Sequence, residues 1–506
     1  MSKNLISIVL LCCAGSATQA SAQELTQKLF PSDPQNNSEF ATSIAIEGDV
    51  AIVGATKQFE NGITGAGAAY IYRNIGGIWS FEAKLVAAVR GDLDLFGSSV
   101  SIHGDVAIVG APDWGFGAFS GTGRAWVYRH NAGTWTLEQE LVPSNGTLYD
   151  SCGARVAVWG DTLAVSNSSA DTVTIFDYSG GTWSETTTLS SPAAGGSFPS
   201  GLVMKNNTLV AGDSWQSVGG LLHAGGVHVF ERIGGVWTHQ QEITAPIPND
   251  EEFFGDSVGF DQDVIVVGVP NDDFDFYVQA GKAHVYRKVG GTWQHEARLE
   301  PSLPRAYAGF GRIVAVSGNR IVTASSYDSV SHINSGGAAY AYEWDGNTWI
   351  GGDPFYPAVS ASNPGFGMSA ALGGDTAMVG NYEHALGVPY LGAATVWDLS
   401  SGFRLRINEV RPEADNFSTW SVRGGQANST AWLAYSLSGH GSTLIAPLNV
   451  TLGLANPSQA GSSISLNNNG EGSWNLYIPV QAQGFTVWFQ ALQANSISNV
   501  LGTLVG

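Results

Sequence analysis

Side chains able to do chemistry are thinly spread along this 506-residue chain, so their spacing decides what they can be. GDSW (Gly212–Trp215) has the look of an esterase serine block. It falls, however, where an apolar alternating run ends, in phase with other runs ending in VGA, and is read as strand. The ten histidines include no H-E-x-x-H. His228 and His284 lie 56 residues apart, as do His239 and His295, so these pairs reflect an internal period and sit on separate units rather than forming a ligand set. NDDFDF (Asn271–Phe276) clusters Asp272, Asp273 and Asp275, but no glycine follows at the spacing of a calcium loop, and it is read as a solvated acidic loop. The remaining acids are dispersed, and no pair stands out for acid–base work. No catalytic residue, metal site or cofactor is assigned on these grounds.

The elements that position these residues begin after an export signal. Lys3, the apolar run Leu5–Leu11 and the small residues Ala20-Ser21-Ala22 mark residues 1–22 as a cleavable signal peptide, which places the chain in the envelope or outside the cell. Cys12 and Cys13 leave with it, so Cys152 has no intrachain partner and is expected as a buried core residue. Removing Lys3 leaves 21 basic and 43 acidic residues, a net charge of −22, which disfavours nucleic acid and anionic membranes as partners. No later stretch is long and apolar enough to span a bilayer, and a monomer is expected.

GDVAIVGA occurs twice, at Gly48–Ala55 and Gly104–Ala111, and the phrase lies within a longer repeat. Aligning on Phe40, Phe96, Cys152, Phe198, Phe254, Phe310 and Phe366 gives seven copies spaced by 56 residues, except for one interval of 46. In the second copy the four runs are FGSSVSIHG, DVAIVGAP, GRAWVYR and TWTLEQEL, alternating with period two and joined by Gly-Asp or glycine turns. Four strands repeated seven times predict a seven-bladed β-propeller over residues 23–402, because radial closure removes the sheet edges that an open stack would expose. Glu24–Phe30 matches the fourth strand of other copies and is expected to close the last blade; Phe403–Val410 is the rival. Trp79, Trp135, Trp183, Trp237, Trp293 and Trp349 follow the glycine turns, a position that suits packing between blades better than a sugar-binding ring.

FG-x-S-V, GD-x-(A/I)-(I/V)-VGAP, G-x-A-Y-V-Y and GG-x-W together resemble the FG-GAP repeat of secreted bacterial proteins, a relative of the integrin α-chain propeller repeat. The resemblance covers residues 24 to 402 and implies the propeller fold without specifying an activity. Calcium-binding members carry a D-x-N-x-D-G-type loop before the VGAP strand; here AIEGDVAIVGA has only a two-residue turn, so the family's calcium is not expected.

From Phe403 the composition changes. Residues 403–506 hold four arginines, four acids and no lysine, and their short alternating runs predict a small C-terminal β-sandwich. The whole is therefore expected to be all-β. Between the second and third strands the copies diverge, and all these loops emerge on one face. Trp114, Phe116, Phe119, Phe274, Phe276 and Tyr277 are the aromatic residues expected to bind a protein or glycan there. The expected function is non-catalytic binding or adhesion. The alternatives are an extracellular polysaccharide hydrolase or lyase with a site in the central channel, and a purely structural envelope component.

Overall fold

The structure, a computed structural model, describes residues 12–14, 24–113, 121–144, 146–147, 150–193, 196–273, 277–301, 304–328, 336–356, 365–381 and 390–399. Beyond these it describes the strands given below and residues 429, 463 and 466. There are two compact units, Leu25–Asp398 and a smaller one made of Met1–Glu24 with Leu399–Gly506. No helix among the described residues is long and apolar enough to cross a membrane.

The larger unit is a seven-bladed propeller of four-stranded antiparallel sheets. The first blade pairs Phe40–Glu47, Val50–Ala55, Ala68–Ile75 and Ile78–Leu85 in sequence order, and the second Ser99–His103, Val106–Ala111, Arg124–Asn131 and Thr134–Leu141. The next four repeat the pattern, starting from Val156–Trp159, Leu202–Lys205, Val258–Asp261 and Ile313–Ser317. The first strand of each blade touches the first strands of both neighbours, and Ala370–Gly373 of the seventh blade meets Phe40–Glu47 of the first, so the ring is closed.

Each repeated residue has a place in a seam between blades. The opening phenylalanines and Cys152 are buried to within 1% of full burial. Their backbone N–H groups donate to the previous blade, as Phe96 does to Ala66 O at 3.2 Å and Phe40 to Leu391 O at 3.0 Å. The glycine that ends the second strand is required by close approach. A Cβ on Gly54 would lie 2.0 Å from Gly97 O of the next blade, and one on Gly110 would lie 1.9 Å from Gly153 O. Nearby serines latch the same carbonyls: Ser43 Oγ donates to Gly97 O at 2.7 Å, Ser257 Oγ to Gly311 O at 2.8 Å, and Ser369 Oγ to Ala41 O at 2.6 Å, the last across the ring closure. In the Gly-Asp turn the glycine takes a left-handed φ of 57° at Gly48 and 58° at Gly104. The aspartate that follows meets a third-strand arginine, Asp49 with Arg73 at 3.2 Å and Asp105 with Arg129 at 3.1 Å.

Glu24–Leu29 is the outer strand of the seventh blade, beside Ala393–Asp398. Its chemistry repeats that of other outer strands. The Gln27 side chain accepts the Trp79 N–H at 2.9 Å and donates to Trp79 O at 2.7 Å, as Gln139 does with Trp183 and Gln241 with Trp293. The tryptophan side chains fill the seams. The indoles of Trp135, Trp183 and Trp349 donate to Glu82, Glu138 and Glu296 of the preceding blades at 2.7, 2.8 and 3.0 Å.

In the smaller unit Cys12–Ala14, Gly472–Ile478, Asn416–Arg423 and Arg404–Ile407 form one antiparallel sheet. Arg404–Ile407, the core of the rival closing strand, thus pairs within this unit. A second sheet is built on Thr430–Ser436 and Thr486–Gln493, joined by Ser458–Gln459, Ile464–Ser465, Ser496–Ile497 and Leu501–Leu504. His440–Ile445 pairs with Val450–Leu454. Ala431, Leu433 and Leu466 are buried, and the unit is all-β, the content expected of a small sandwich.

Candidate functional site

In every blade the loop between the second and third strands and the connection leaving the fourth strand share one face. The parallel bridge between Gly67 and Phe96, repeated at Gly225 and Phe254, ties the two together. Apart from Phe81 on an outer strand, the exposed aromatic residues among the described residues all lie on this face: Phe59, Trp215, Tyr277, Tyr307, Tyr327 and Tyr390. Of the residues expected from sequence, Tyr277 is exposed there; Trp114, Phe116, Phe119, Phe274 and Phe276 lie outside the described residues.

Three aromatic rings converge at the seam between the fourth and fifth blades. Trp215, 52% exposed, sits 5.2 Å from the His223 ring and 6.5 Å from Phe253, while His223 and Phe253 stack at 5.7 Å with planes 17° apart. Leu222 is exposed beside them. The backbone beneath is knit by Glu251 N–H to Leu222 O at 2.8 Å and Phe253 N–H to His223 O at 3.0 Å, and Leu222 N–H reaches Asp250 Oδ1 at 2.7 Å.

The first blade builds the same frame 158 residues earlier: Leu93 N–H to Thr64 O, Leu95 N–H to Gly65 O, and Thr64 N–H to Asp92 Oδ1. Where the fourth blade has Trp215, His223 and Phe253, the first has Lys57, Gly65 and Leu95. The frame is repeated and the aromatic trio is not. Sequence reading missed Trp215 because it took GDSW only as a strand end; the aligned aspartates Asp92 and Asp250, which mark the shared loop, were the available signal.

The residues weighed for catalysis are committed elsewhere. Asp213 and Ser214 of GDSW are buried; Asp213 accepts from Ser191 Oγ at 2.7 Å and Ser197 N–H at 2.8 Å. Ser191 Oγ also lies 3.4 Å from His228 Nε2, a serine–histidine–aspartate convergence. It is not a triad in form. His228 Nε2 faces Gln216 Oε1 at 3.0 Å, and an amide oxygen only accepts, so Nε2 carries the proton and is no base toward Ser191. Burial pushes Asp213 above the usual carboxylate range.

At the ends of the inner strands, where a channel enzyme would gather acids and histidines, each side chain reaches the next blade. Glu47 accepts from Gly104 N–H at 2.6 Å and lies beside His103, whose ring centroid is 3.9 Å from that of Trp159. Lys205 lies over Trp159 and pairs with Asp261, which accepts from Gly318 N–H at 2.7 Å. Cys152 is a buried free thiol, pushed up to about 12 mainly by desolvation.

One sequence reading needs correction. Asp272 is not solvated: it is buried and ion-paired with Lys282, because the loop turns it under the third strand; Asp273 accepts from Gln279 N–H, and Asp275 lies outside the described residues. The histidines 56 apart lie on separate blades, as expected, and those that meet lie within one blade. His228 Nδ1 lies 3.2 Å from His239 Nε2 within the fourth blade, and His284 Nδ1 lies 3.0 Å from His295 Nε2 within the fifth. The cause is a bulge in the outer strand pair, between Val229 and Phe230 and between Val285 and Tyr286, which sequence spacing does not reveal. Among the described residues no three His, Cys, Asp or Glu side chains are grouped to hold a metal.

No curated relative matches the chain. Solved structures similar to it include a fungal alcohol oxidase of the AA5 family in complex with copper, at 13% identity and a TM-score of 0.43, covering 96% of this chain and 100% of that one. A putative 6-phosphogluconolactonase from Bacteroides uniformis matches at 10% identity and a TM-score of 0.42, covering 64% and 86%. One from Bacteroides fragilis matches at 10% and 0.43, covering 67% and 92%. The FG-GAP repeat family matches in four places, residues 24–72, 79–128, 237–286 and 293–342. Each match begins on an outer strand and ends in the third strand of the following blade, so the family's unit straddles a seam and its first copy begins with the closing strand. The chain thus carries FG-GAP repeats in four places, within a seven-bladed propeller.

Proposed function

We propose that this chain is an exported, non-catalytic binding or adhesion module that engages a protein or glycan through its loop face. The observation that carries the reading is the Trp215–His223–Phe253 platform, an unrepeated aromatic trio on a loop frame that the first blade builds without it. Exposed aromatics supply large contact area at low entropic cost. The backbone bonds under the trio hold it in place before any partner arrives, which lowers the ordering cost of association. Commitment of the inner-strand acids and His103 to the seams weighs against the channel-enzyme reading.

The test is a glycan and surface-protein array probed with the mature chain and with Trp215→Ala. Binding that falls at least tenfold in the variant, with an unchanged melting temperature, supports the reading. Hydrolysis of a polysaccharide without array binding, or binding indifferent to Trp215→Ala, overturns it.

A further inference from the structure

The two histidine pairs occupy one repeat position, where third and fourth strands meet across the bulge. The first, second, third and sixth blades place different residues there: Tyr70 with Phe81, Trp126 with Leu137, Thr174 with Glu185, and Tyr340 with Gly351. Only the fourth and fifth blades bring two nitrogens together, at 3.2 and 3.0 Å.

In the fourth blade the polar partners fix which atoms face each other. Gln216 donates its amide N–H to Glu242, because a carboxylate only accepts, and this turns Gln216 Oε1 toward His228. His228 Nε2 therefore holds the proton, which leaves a lone pair on Nδ1, 3.2 Å from His239 Nε2. This is the outer-sphere arrangement that orients metal-binding imidazoles: one nitrogen tied to an acceptor, the other left free to ligate. The His239 ring is exposed, so the pair has a route to solvent. Two imidazole nitrogens held at about 2.0–2.1 Å from one zinc-class cation stand roughly 3.0–3.4 Å apart, which brackets the spacing seen here.

Charge separates the two pairs. Glu242 acts on both His228 and His239, favouring positive charge between them. The fifth blade has Arg298 where the fourth has Glu242, and Lys282 where it has Gly226; both cations oppose positive charge on His284, and Arg298 also opposes it on His295. We propose that His228 and His239 form a bidentate site for a zinc-class divalent cation, with Glu242 as the neighbouring counter-charge and water completing the shell, and that the equivalent fifth-blade pair is electrostatically disabled. The site lies on the blade's outer strands and is independent of the loop-face platform.

The test is calorimetric titration of the tag-free mature chain with zinc chloride at neutral pH. One zinc per chain is expected. His239→Ala, at an exposed position, should weaken binding at least tenfold, and Glu242→Gln by a smaller factor. Lys282→Gly combined with Arg298→Glu should add a second equivalent, lost again on His295→Ala. The proposal fails if no zinc binds at millimolar concentration, if His239→Ala leaves the isotherm unchanged, or if His295→Ala alone abolishes wild-type binding.

Discussion

Replacing Gly54 by alanine tests the seam packing directly. The new Cβ would fall 2.0 Å from Gly97 O, across the contact with the second blade, and 2.4 Å from Ser43 Oγ, the side chain of its own blade that bonds to that carbonyl. Ordinary contact lies beyond about 3.4 Å, so the seam must open by more than about 1 Å or the Ser43–Gly97 hydrogen bond must break. Overpacking of this kind costs about 1–3 kcal/mol, and loss of the hydrogen bond about 1 kcal/mol more. Alanine returns about 0.4–1 kcal/mol by restricting the unfolded chain. The net expectation is a destabilisation of roughly 2–3 kcal/mol. At ~2.1 cal/mol/K of unfolding entropy per residue, a unit of this length loses about 3 °C in Tm. The sixth blade supplies a natural comparison: Ala324 stands at this position, and Ile313 stands where Ser43 does, so the larger side chain and the missing latch occur together. Gly54→Ala with Ser43→Ile should therefore cost less than the sum of the single changes, a coupling that double-mutant analysis measures. Differential scanning calorimetry at one scan rate reads all three variants. A Tm for Gly54→Ala within half a degree of wild type, or strict additivity in the double variant, would refute the seam argument.

Three further outcomes are expected. Gln27→Ala removes both bonds to the Trp79 backbone and should cost about 1–2 kcal/mol, seen as faster hydrogen exchange in Glu24–Leu29 with little change in the third blade. Burial holds the His228 imidazole at about 4, below the usual 6.5, in a setting that also contains His239, Glu242 and Asp213. The unfolded chain therefore binds the extra proton first, so His228 contributes full stability above about pH 6.5 and loses it progressively down to about pH 4; His228→Gln should flatten the fall in metal-free Tm over that window. His223→Gly should change Tm by no more than about 1 °C, since relief of a left-handed backbone offsets lost stacking and the flexibility of glycine, while partner binding falls at least tenfold.

The repeat made the blades readable because each blade packs on a near copy of itself, so seam residues recur at a fixed interval. The closing strand was legible for the same reason: TQKL repeats the outer-strand pattern of LEQEL, and Gln27 stands where Gln139 does. The histidine pairs were not legible. A period of 56 links residues that perform the same task in different blades, whereas contact within a blade depends on antiparallel register and on a bulge one residue long. The acidic loop was misread because burial of Asp272 depends on Lys282, ten residues on and across the loop.

The departures from the repeat are informative because the scaffold resists them. Of the trio on the loop face, His223 has a φ of 50°, in the left-handed region, where the first blade uses Gly65 at 63°. A non-glycine residue there costs roughly 1–2 kcal/mol, and glycine would satisfy the same backbone bonds. Packing does not require the imidazole, since the first blade closes the identical loop without a side chain at that place. What the imidazole adds is a ring stacked on Phe253 and set against Trp215, three positions that change together although they lie 8 and 30 residues apart in the chain. The fifth blade also seats a non-glycine residue there, Gln279 at a φ of 51°, so what sets the fourth blade apart is the set of three rings rather than the backbone. In a propeller whose seams fix nearly everything else, such a surface is where recognition can be written without disturbing the ring.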